Sequence, residues 1–395
     1  MEKQIHIIGG GIAGLSCAVK TLQLNPNATI HIYEKSNSLG GQLKNPFHHM
    51  WLVSSTSTSY NELCKIIIMK QQPVLTTYKF PKLDIHGMFD LAKFAICPDT
   101  TTKITDGKLS SNFKSFIDEL SGFILLQHAN LPVYTCGLHK PSSYISTNLY
   151  VQKSKLVGHI KKYLKRYKNC HIHLGAEIKF SNNQYFHDNK VLKGKIVIAV
   201  DPYNANRYFG IKTPIVAPIQ ETQFRFVFSI HSKDTLINKM ADFNSLNKGY
   251  TSIIFSSQAY WNVIAVINKS DNGYKYEILL NSFNAVGMNG KYVYECSEDE
   301  FKLEVMNEIG LNDPNAKFTF PDYITFKNNK IHLKDESQMM FVPTVGTYET
   351  LTDMRTDDKD VYVCGVYVKN SDLLFTVDAS IETGFRVAET IQGNF

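Results

Sequence analysis

The chain has 395 residues, of which 43% are apolar and 20% are charged, so its composition is that of an ordinary globular protein. This length predicts a sizeable core divided between two domains. The formal net charge of +6 arises from dispersed lysines and therefore does not indicate a nucleic-acid-binding protein. The seven cysteines are widely spaced and form no CxxC pair, which favours reduced thiols over a disulfide framework or a zinc site.

Membrane and targeting signals are missing from the sequence pattern. No apolar run reaches the ~18 residues that a membrane-spanning helix needs. The first predicted strand begins almost at Met1, which leaves no room for a secretory signal, and we therefore expect a cytoplasmic protein. His171 and His173 alternate along a strand-like segment, but no further ligands stand at a suitable spacing, so we expect no metal site.

The strongest pattern lies at the start of the chain. Residues 5–8 form a short apolar run that predicts a buried parallel strand. Gly9, Gly11 and Gly14 then give the spacing GxGxxG where the chain turns into a helix. The first glycine permits a tight turn, the second lets a pyrophosphate approach the backbone, and the third lets the helix lie close to the strand.

Residues after this turn add context to the glycine motif. The amides of Ile12 and Ala13 lie at a predicted helix N-terminus, where free N–H groups favour an anion. Glu34 ends a second predicted strand, at a distance where its carboxylate can accept hydrogen bonds from a ribose diol, which disfavours the 2′-phosphate of NADP. Gly40 and Gly41 follow as a second close approach of the backbone. The pattern predicts a dinucleotide-binding unit.

The combination of GGGIAG and YEKSNSLGGQL resembles the large FAD-binding family that contains flavin amine oxidases, phytoene desaturases and squalene-associated FAD-dependent desaturases. The resemblance implies an α/β fold: a Rossmann-like FAD-binding domain of the glutathione-reductase type, with an interleaved α+β substrate domain. It also implies that Glu34 holds the adenosine ribose, that Lys35 belongs to the cofactor site, and that Gly40, Gly41 and Gln42 follow the pyrophosphate. The family usually has arginine where Gln42 stands, so this contact is weakened to a neutral donor.

The middle of the chain returns to the nucleotide domain. Residues 56–148 predict short helices and loops that cover a pocket and carry no chemical motif. The basic run 159–168 is most simply the solvated side of an amphipathic helix, with contact to nucleic acid or an anionic membrane as the alternative. A predicted strand over 171–180 includes Ile178, whose backbone the resemblance places against the adenine ring. A buried strand over 196–200 follows.

Alternating segments between residues 216 and 334 predict an antiparallel sheet. Ser297 and Glu300 have the spacing of a capping box at the start of a helix behind that sheet. We therefore predict two interleaved domains. The FAD-binding domain is expected at 1–55, 150–215 and 335–395, and the substrate or cap domain at 56–149 and 216–334.

The C-terminal residues resemble the closing pattern of the same family. A strand over 360–364 leads to Gly365 and Val366, which match a "glycine-aspartate" pair, and Val377 begins the segment that matches "Met-Glu-Gly-Ala" before a helix over 378–391. In the family, amides of the second motif face the pyrimidine carbonyl of the flavin. Val366 replaces an acidic residue, so one polar contact of the family is missing.

The resemblance also bears on the substrate. Thr376 stands where amine oxidases place an aromatic residue beside the flavin, which ranks an apolar, isoprenoid or lipid-like small molecule above a primary amine. No cysteine stands where a thioether to flavin is expected, so we predict non-covalently bound FAD. The predicted partner is thus a small-molecule substrate. We expect no binding of nucleic acid and at most peripheral contact with a membrane.

The sequence therefore predicts an FAD-dependent oxidoreductase in which flavin N5 accepts hydride from a substrate C–H bond. No side chain stands out as a catalytic acid or base. Three alternatives stay open. They are a catalytically silent flavoprotein or structural relative, suggested by Gln42, Val366 and Thr376; an amine oxidase; and an NAD-only dehydrogenase, which Gly40 and Gly41 disfavour.

Overall fold

A computed structural model describes most of the chain. It covers residues 4–43, 52–54, 58–69, 83–96, 109–114, 149–151, 156–213, 223–224, 226–233, 252–255, 261, 263–280, 286–321, 324–328, 330–333, 339–340, 350–371 and 377–393. The described helices are α1 (Ile12–Leu24), α2 (Thr58–Ile66), α3 (Ile85–Ile96), α4 (Leu156–Leu164), α5 (Pro202–Phe209), α6 (Glu298–Ile309) and α7 (Val377–Gly393). Among the described helices, none is long and apolar enough to cross a membrane.

The described strands form two large sheets and several small ones. The first strands in chain order are β1 (Ile5–Ile8), β2 (Ile30–Glu34), β3 (Leu52–Ser54), β4 (Leu149–Val151), β5 (Cys170–Leu174), β6 (Lys179–Ser181), β7 (Gln184–His187), β8 (Lys190–Val191) and β9 (Lys195–Ile198). The later strands are β10 (Gln223–Phe224), β11 (Phe226–Ser232), β12 (Ser252–Phe255), β13 (Val263–Ser270), β14 (Gly273–Leu280), β15 (Lys317–Thr319), β16 (Ile324–Lys327), β17 (Lys330–Leu333), β18 (Met339–Met340) and β19 (Val361–Val363).

The first large sheet has five parallel strands in the order β19-β9-β1-β2-β5. Ile5 of β1 lies opposite Ile30 of β2 on one side and Lys195 of β9 on the other. The all-apolar run of β1 is buried throughout, as expected for a central parallel strand that is covered on both faces. Because all strands are parallel, their carboxyl ends meet at one edge, where α/β sheets bind ligands.

Helices α1, α2, α4 and α7 contribute to the apolar core on one face of this sheet. Leu15 of α1, Leu63 of α2 and Phe385 of α7 belong to one cluster of buried side chains together with Ile32 of the sheet. Helix α2 therefore packs into the core of the parallel sheet, although the sequence prediction assigned residues 56–149 to the substrate or cap domain. The predicted division into two domains stays a prediction.

The other face carries a second cluster, which includes Ile198, Val363 and Phe209. The single strand predicted over 171–180 is wrong. The chain leaves β5 at Gly175, with φ of +65°, and starts the separate meander β6–β8 at Lys179. Helix α5 also lies outside the sequence prediction: Asp201 accepts a hydrogen bond from the amide of Asn204, and Pro202 begins the helix.

The second large sheet is antiparallel, in the order β12-β13-β14-β11-β15, and it confirms the antiparallel sheet predicted between residues 216 and 334. Phe228, Trp261 and Phe301 lie in its core. The predicted capping box of α6 is confirmed, because the Ser297 amide donates to Glu300 Oε2 at 2.9 Å and the Glu300 amide donates to Ser297 Oγ at 3.3 Å.

This cap yields a stability prediction. Ser297→Ala removes the acceptor for the Glu300 amide and should lower the free energy of unfolding by about 1 kcal/mol, whereas Ser297→Asp keeps an acceptor and should cost much less. The Trp261 ring stacks on Phe301 of α6, with 5.6 Å between the ring centroids. Tryptophan fluorescence during urea unfolding, in a Trp51→Phe background, therefore reports on this core. Equal stability of the two variants would contradict the role of the cap.

Candidate cofactor-binding site

The GxGxxG motif after β1 contains two glycines that packing requires and one that it does not. Gly9 has φ of +111°, and a Cβ there would overlap the carbonyl oxygen of Ala199. A Cβ on Gly14 would overlap the Gly9 carbonyl oxygen and lie 3.0 Å from Ile7 Cγ2. A Cβ on Gly11 would meet nothing within 4 Å. Packing therefore explains Gly9 and Gly14, whereas Gly11 faces open space that a ligand can enter.

The N-terminus of α1 is open to an anion. Gly11 is the N-cap and supplies no side-chain acceptor, and the first turn holds no acidic residue. The first helical hydrogen bond runs from the Leu15 amide to the Gly11 carbonyl at 2.9 Å, so the amides of Ile12 and Ala13 precede the intrahelical ladder. Ile12 is half-buried and Ala13 is 6% exposed. These donors, with the helix dipole, suit a phosphate.

Glu34 is a buried carboxylate whose orientation is fixed by the protein. Its Oε2 accepts the amide of Gly10 at 2.8 Å, and its Oε1 accepts the amide of Ser36 at 2.8 Å and also the Ser36 hydroxyl. A carboxylate has about four acceptor sites, so capacity is left for a hydroxyl donor such as a ribose. The sequence reasoning did not find Gly10 or Ser36. The run of three glycines was the available signal for Gly10, where a Cβ would lie 2.6 Å from Leu39 Cδ2.

The second glycine pair lies against the first turn. The Gly40 amide donates to the Gly10 carbonyl at 2.8 Å, and a Cβ on Gly41 would lie 3.1 Å from Gly11 Cα. Gly40 and Gly41 have positive φ angles of +122° and +55°. Gln42 lies in the short 3-10 turn Gly41–Leu43, and its side chain is outside the described residues. Its contact with a phosphate stays a prediction.

The residues predicted for the adenosine end lie near Glu34. The Ala176 amide donates to the Glu34 carbonyl at 2.9 Å, which brings the segment of Ile178 beside β2. Lys35 Nζ lies 2.7 Å from Glu177 Oε1, and this hydrogen bond raises the pKa of Lys35 and lowers the pKa of Glu177. The Ile178 side chain is 7% exposed and packs in the core, so only its backbone is available for a base.

The C-terminal segment reaches the same edge of the sheet. Strand β19 is separated from β1 by β9 alone, which corresponds to roughly 10 Å. Gly365 has φ of +148°, and its amide donates to Thr383 Oγ1 of α7 at 3.1 Å. Val366 and Val377 are half-buried. Thr376 lies outside the described residues.

Helix α7 is fixed against two other helices near its start. Asp378 Oδ1 accepts the amide of Tyr60 in α2 at 2.6 Å. A Cβ on Gly384 would overlap the Ala13 carbonyl oxygen and lie 3.0 Å from the Cys17 amide nitrogen, so α7 and α1 are in backbone contact. The structure therefore brings the glycine turn, Glu34 and the second glycine pair together at the carboxyl edge of the sheet, with α7 in backbone contact with α1.

The thiols near this edge are chemically inert. Burial raises the pKa of Cys17 to about 12, and burial, followed by the neighbouring Cys17, raises the pKa of Cys364. Both are therefore neutral at physiological pH. In the described part of the chain, no group of His, Cys, Asp or Glu side chains is arranged to hold a metal ion.

Comparison with known proteins finds similarity in sequence over part of the chain. Residues 7–53 match the family model described as an NAD(P)-binding Rossmann-like domain. Over an alignment of 130 residues, the chain is 32% identical to coproporphyrinogen III oxidase of Staphylococcus aureus strain NCTC 8325 / PS 47. This alignment covers 29% of this chain and 28% of that protein. The chain thus aligns with less than a third of this relative.

Solved structures match over the whole chain. A putative protoporphyrinogen oxidase from Exiguobacterium sp. 255-15 has a TM-score of 0.62 at 11% identity, covering 100% of both chains. Cyclohexylamine oxidase from Brevibacterium oxydans IH-35A has a TM-score of 0.60 at 12% identity, and putrescine oxidase bound to putrescine has 0.60 at 11%; each covers 100% of this chain and 99% of the other. The chain has the amine-oxidase-type α/β fold of these oxidases, which confirms the predicted fold class and, for the fold, the resemblance.

Two matched glycine variants separate packing from ligand access. Gly11→Thr places a good N-cap residue in open space and should change the free energy of unfolding by less than about 0.5 kcal/mol, while blocking the approach of a pyrophosphate and abolishing FAD binding. Gly14→Thr should instead destabilise the fold by about 1–3 kcal/mol, because its side chain overlaps the backbone. Urea unfolding and titration with FAD measure both effects. FAD binding by Gly11→Thr with wild-type affinity would contradict the assignment.

Proposed function

We propose that the protein is an FAD-dependent oxidoreductase that binds FAD without a covalent link. The observation that carries this proposal is the meeting of the glycine turn, the buried Glu34 carboxylate and the second glycine pair at one edge of the parallel sheet, with α7 packed against α1. When bound, FAD supplies flavin N5 as the acceptor of a hydride from a substrate C–H bond. The protein supplies binding, orientation and shielding from water.

Each part of the edge has a separate task in this proposal. The amides of Ile12 and Ala13 hold the pyrophosphate, Glu34 orients the ribose, and backbone groups at Gly365 and Val377 support the flavin end. Gly40 and Gly41 let the second loop lie beside the phosphates without a Cβ in the way. The high pKa of Cys17 and Cys364 supports a non-covalent complex, because neither thiol is ionised for attack on the flavin.

The proposed substrate is an apolar small molecule of lipid-like or isoprenoid character. Thr376 supports it, because a threonine supplies no aromatic wall to position an amine beside the flavin. The relatives provide further candidates, since their names include oxidases of porphyrinogens, of putrescine and of cyclohexylamine. Amine oxidation is the second candidate, supported by the likeness of the fold to two amine oxidases.

The role of Glu34 can be measured without a substrate. Glu34→Gln keeps the shape of the side chain but removes the charge that strengthens hydrogen bonds from a diol, so the Kd for FAD should rise by about 10- to 100-fold. Glu177→Gln is the matched control, because its exposed ion pair with Lys35 should add little. FMN lacks the adenosine half, so its binding should not respond to Glu34→Gln. An equal loss for FMN and FAD would place Glu34 elsewhere in the site.

Turnover separates the enzyme from a silent flavoprotein. The protein should purify yellow or take up added FAD, and under anaerobic conditions an apolar isoprenoid polyene should bleach the flavin absorbance while putrescine and cyclohexylamine should not. Bleaching by the amines alone would favour the amine oxidase. Bleaching by dithionite but by no substrate, including coproporphyrinogen III, would favour the silent flavoprotein.

A further inference from the structure

Aromatic rings stack across one face of the parallel sheet, over β1, β2 and β5. We call this group the histidine stack; its members are His6, His31, Tyr33, His171, His173 and His187. The strand register places His31 opposite both His6 and His171, and Tyr33 opposite His173. Ring centroids lie 5.2 Å apart for His6 and His31, 4.8 Å for His31 and His171, and 4.8 Å for Tyr33 and His173.

The hydrogen bonds of the stack fit uncharged rings. His6 Nε2 lies 3.2 Å from the Lys193 carbonyl oxygen, so Nε2 donates, and the Nδ1 of a neutral ring accepts the Tyr33 hydroxyl at 3.1 Å. His31 Nδ1 and His173 Nε2 are 3.2 Å apart, so one of them must accept. Protons on both nitrogens would turn two N–H groups towards each other at this distance.

The surroundings also oppose positive charge. Burial, followed by the charges of His6, His171 and His173, lowers the pKa of His31 to about 4. Burial lowers the pKa of His6 and of His173 as well. Among the described acidic groups near the stack, Asp188 of the β7–β8 turn lies 3.6 Å from His187 Nε2 but is exposed, so it offsets the repulsion only weakly. Glu177 and Lys179 line the adjoining groove with His173, and Glu177 is paired with Lys35.

The strands that carry the stack also carry the Glu34 pocket. Tyr33 precedes Glu34 on β2, and β5 continues into Gly175 and Ala176. The Gly175 amide donates to the Ser36 carbonyl at 3.0 Å, and the Ala176 amide donates to the Glu34 carbonyl at 2.9 Å. A groove of about 690 Å³ along β5 and the β7–β8 turn is lined by His173 and His187 among others, so water can deliver protons to the stack.

We propose that the histidine stack is a pH-sensitive device that loosens the Glu34 pocket in mildly acidic solution, by forcing the edge strand β5 away from β2. The ligand released would be the dinucleotide, and this part rests on the proposed function. In the closed form β5 is paired with β2, as in this structure, and in the open form β5 has moved away. The sign of the effect follows from proton linkage, because histidines with a pKa below 6.5 in the closed form bind protons more tightly in the open form. The closed form is therefore fully stable above about pH 6.5 and loses stability as the pH falls towards about 4.

Hydrogen exchange and flavin titration test this device on the full chain. Between pH 7.5 and pH 5, exchange of backbone amides in 170–176, corrected for the intrinsic rate, should rise by about tenfold or more relative to β9 and β19. The Kd for FAD should rise over the same interval by a similar factor.

The variant His31→Asn with His173→Gln removes two protonatable rings and keeps an amide in place of each bonded nitrogen, so both responses should become nearly flat. His231→Gln, at an exposed histidine of β11 in the other sheet, is the matched control and should keep the full response. If the double variant does not fold, His173→Gln alone at its half-buried position should flatten the response in part.

The outcomes separate this inference from the proposed function. An exchange rate in 170–176 that ignores pH, or a double variant that responds to acid as the wild type does, overturns the device. If hydrogen exchange rises in acid but the protein binds FAD at no pH, the result supports the pH-sensitive device and contradicts the proposed binding of FAD.

Discussion

Direct backbone contact around the turn after β1 is the constraint on which the site depends. Gly9 lies against the carbonyl of Ala199, Gly14 lies against Gly9, and Gly384 of α7 lies against Ala13 of α1. No Cβ fits at any of these contacts. Because β1, β9 and two helices approach each other at backbone distance, the N-terminal turn of α1 lies between the Ala199 segment that follows β9 and the middle of α7. Larger side chains would separate these elements and divide the site.

The parts of the fold that could be predicted are those with a local pattern. Apolar strands and a glycine turn identify β1–α1–β2, and alternation identifies the antiparallel sheet, because each pattern reflects burial along one short segment. Helix α5 has only eight residues, with three of them buried, so its periodicity is weak and only the Asp201-Pro202 cap signals it. The meander β6–β8 turns at left-handed Asn182 and Asn183, and its strands are too short to show a clear alternation.

The site shows the same division between local and tertiary information. Glu34 could be predicted from its distance to the glycine turn, since that distance is fixed by one helix and one strand. Its partners Gly10 and Ser36 could not, because those hydrogen bonds depend on how the following loop closes. The histidine stack could not be predicted either. His6, His31 and His171 become neighbours only when the strand order β1-β2-β5 is known.

Under the proposed function, backbone groups would recognise the cofactor and side chains would recognise the substrate, so the two sites would differ in how much they change between relatives. Backbone amides and glycines form most of the proposed phosphate site, and these groups survive when side chains change. At 11–12% identity, the feature shared with the oxidases of amines and porphyrinogens is the path of the backbone. A substrate would instead contact side chains, which change more readily than the backbone. One backbone frame can therefore serve oxidases whose named substrates have little chemistry in common.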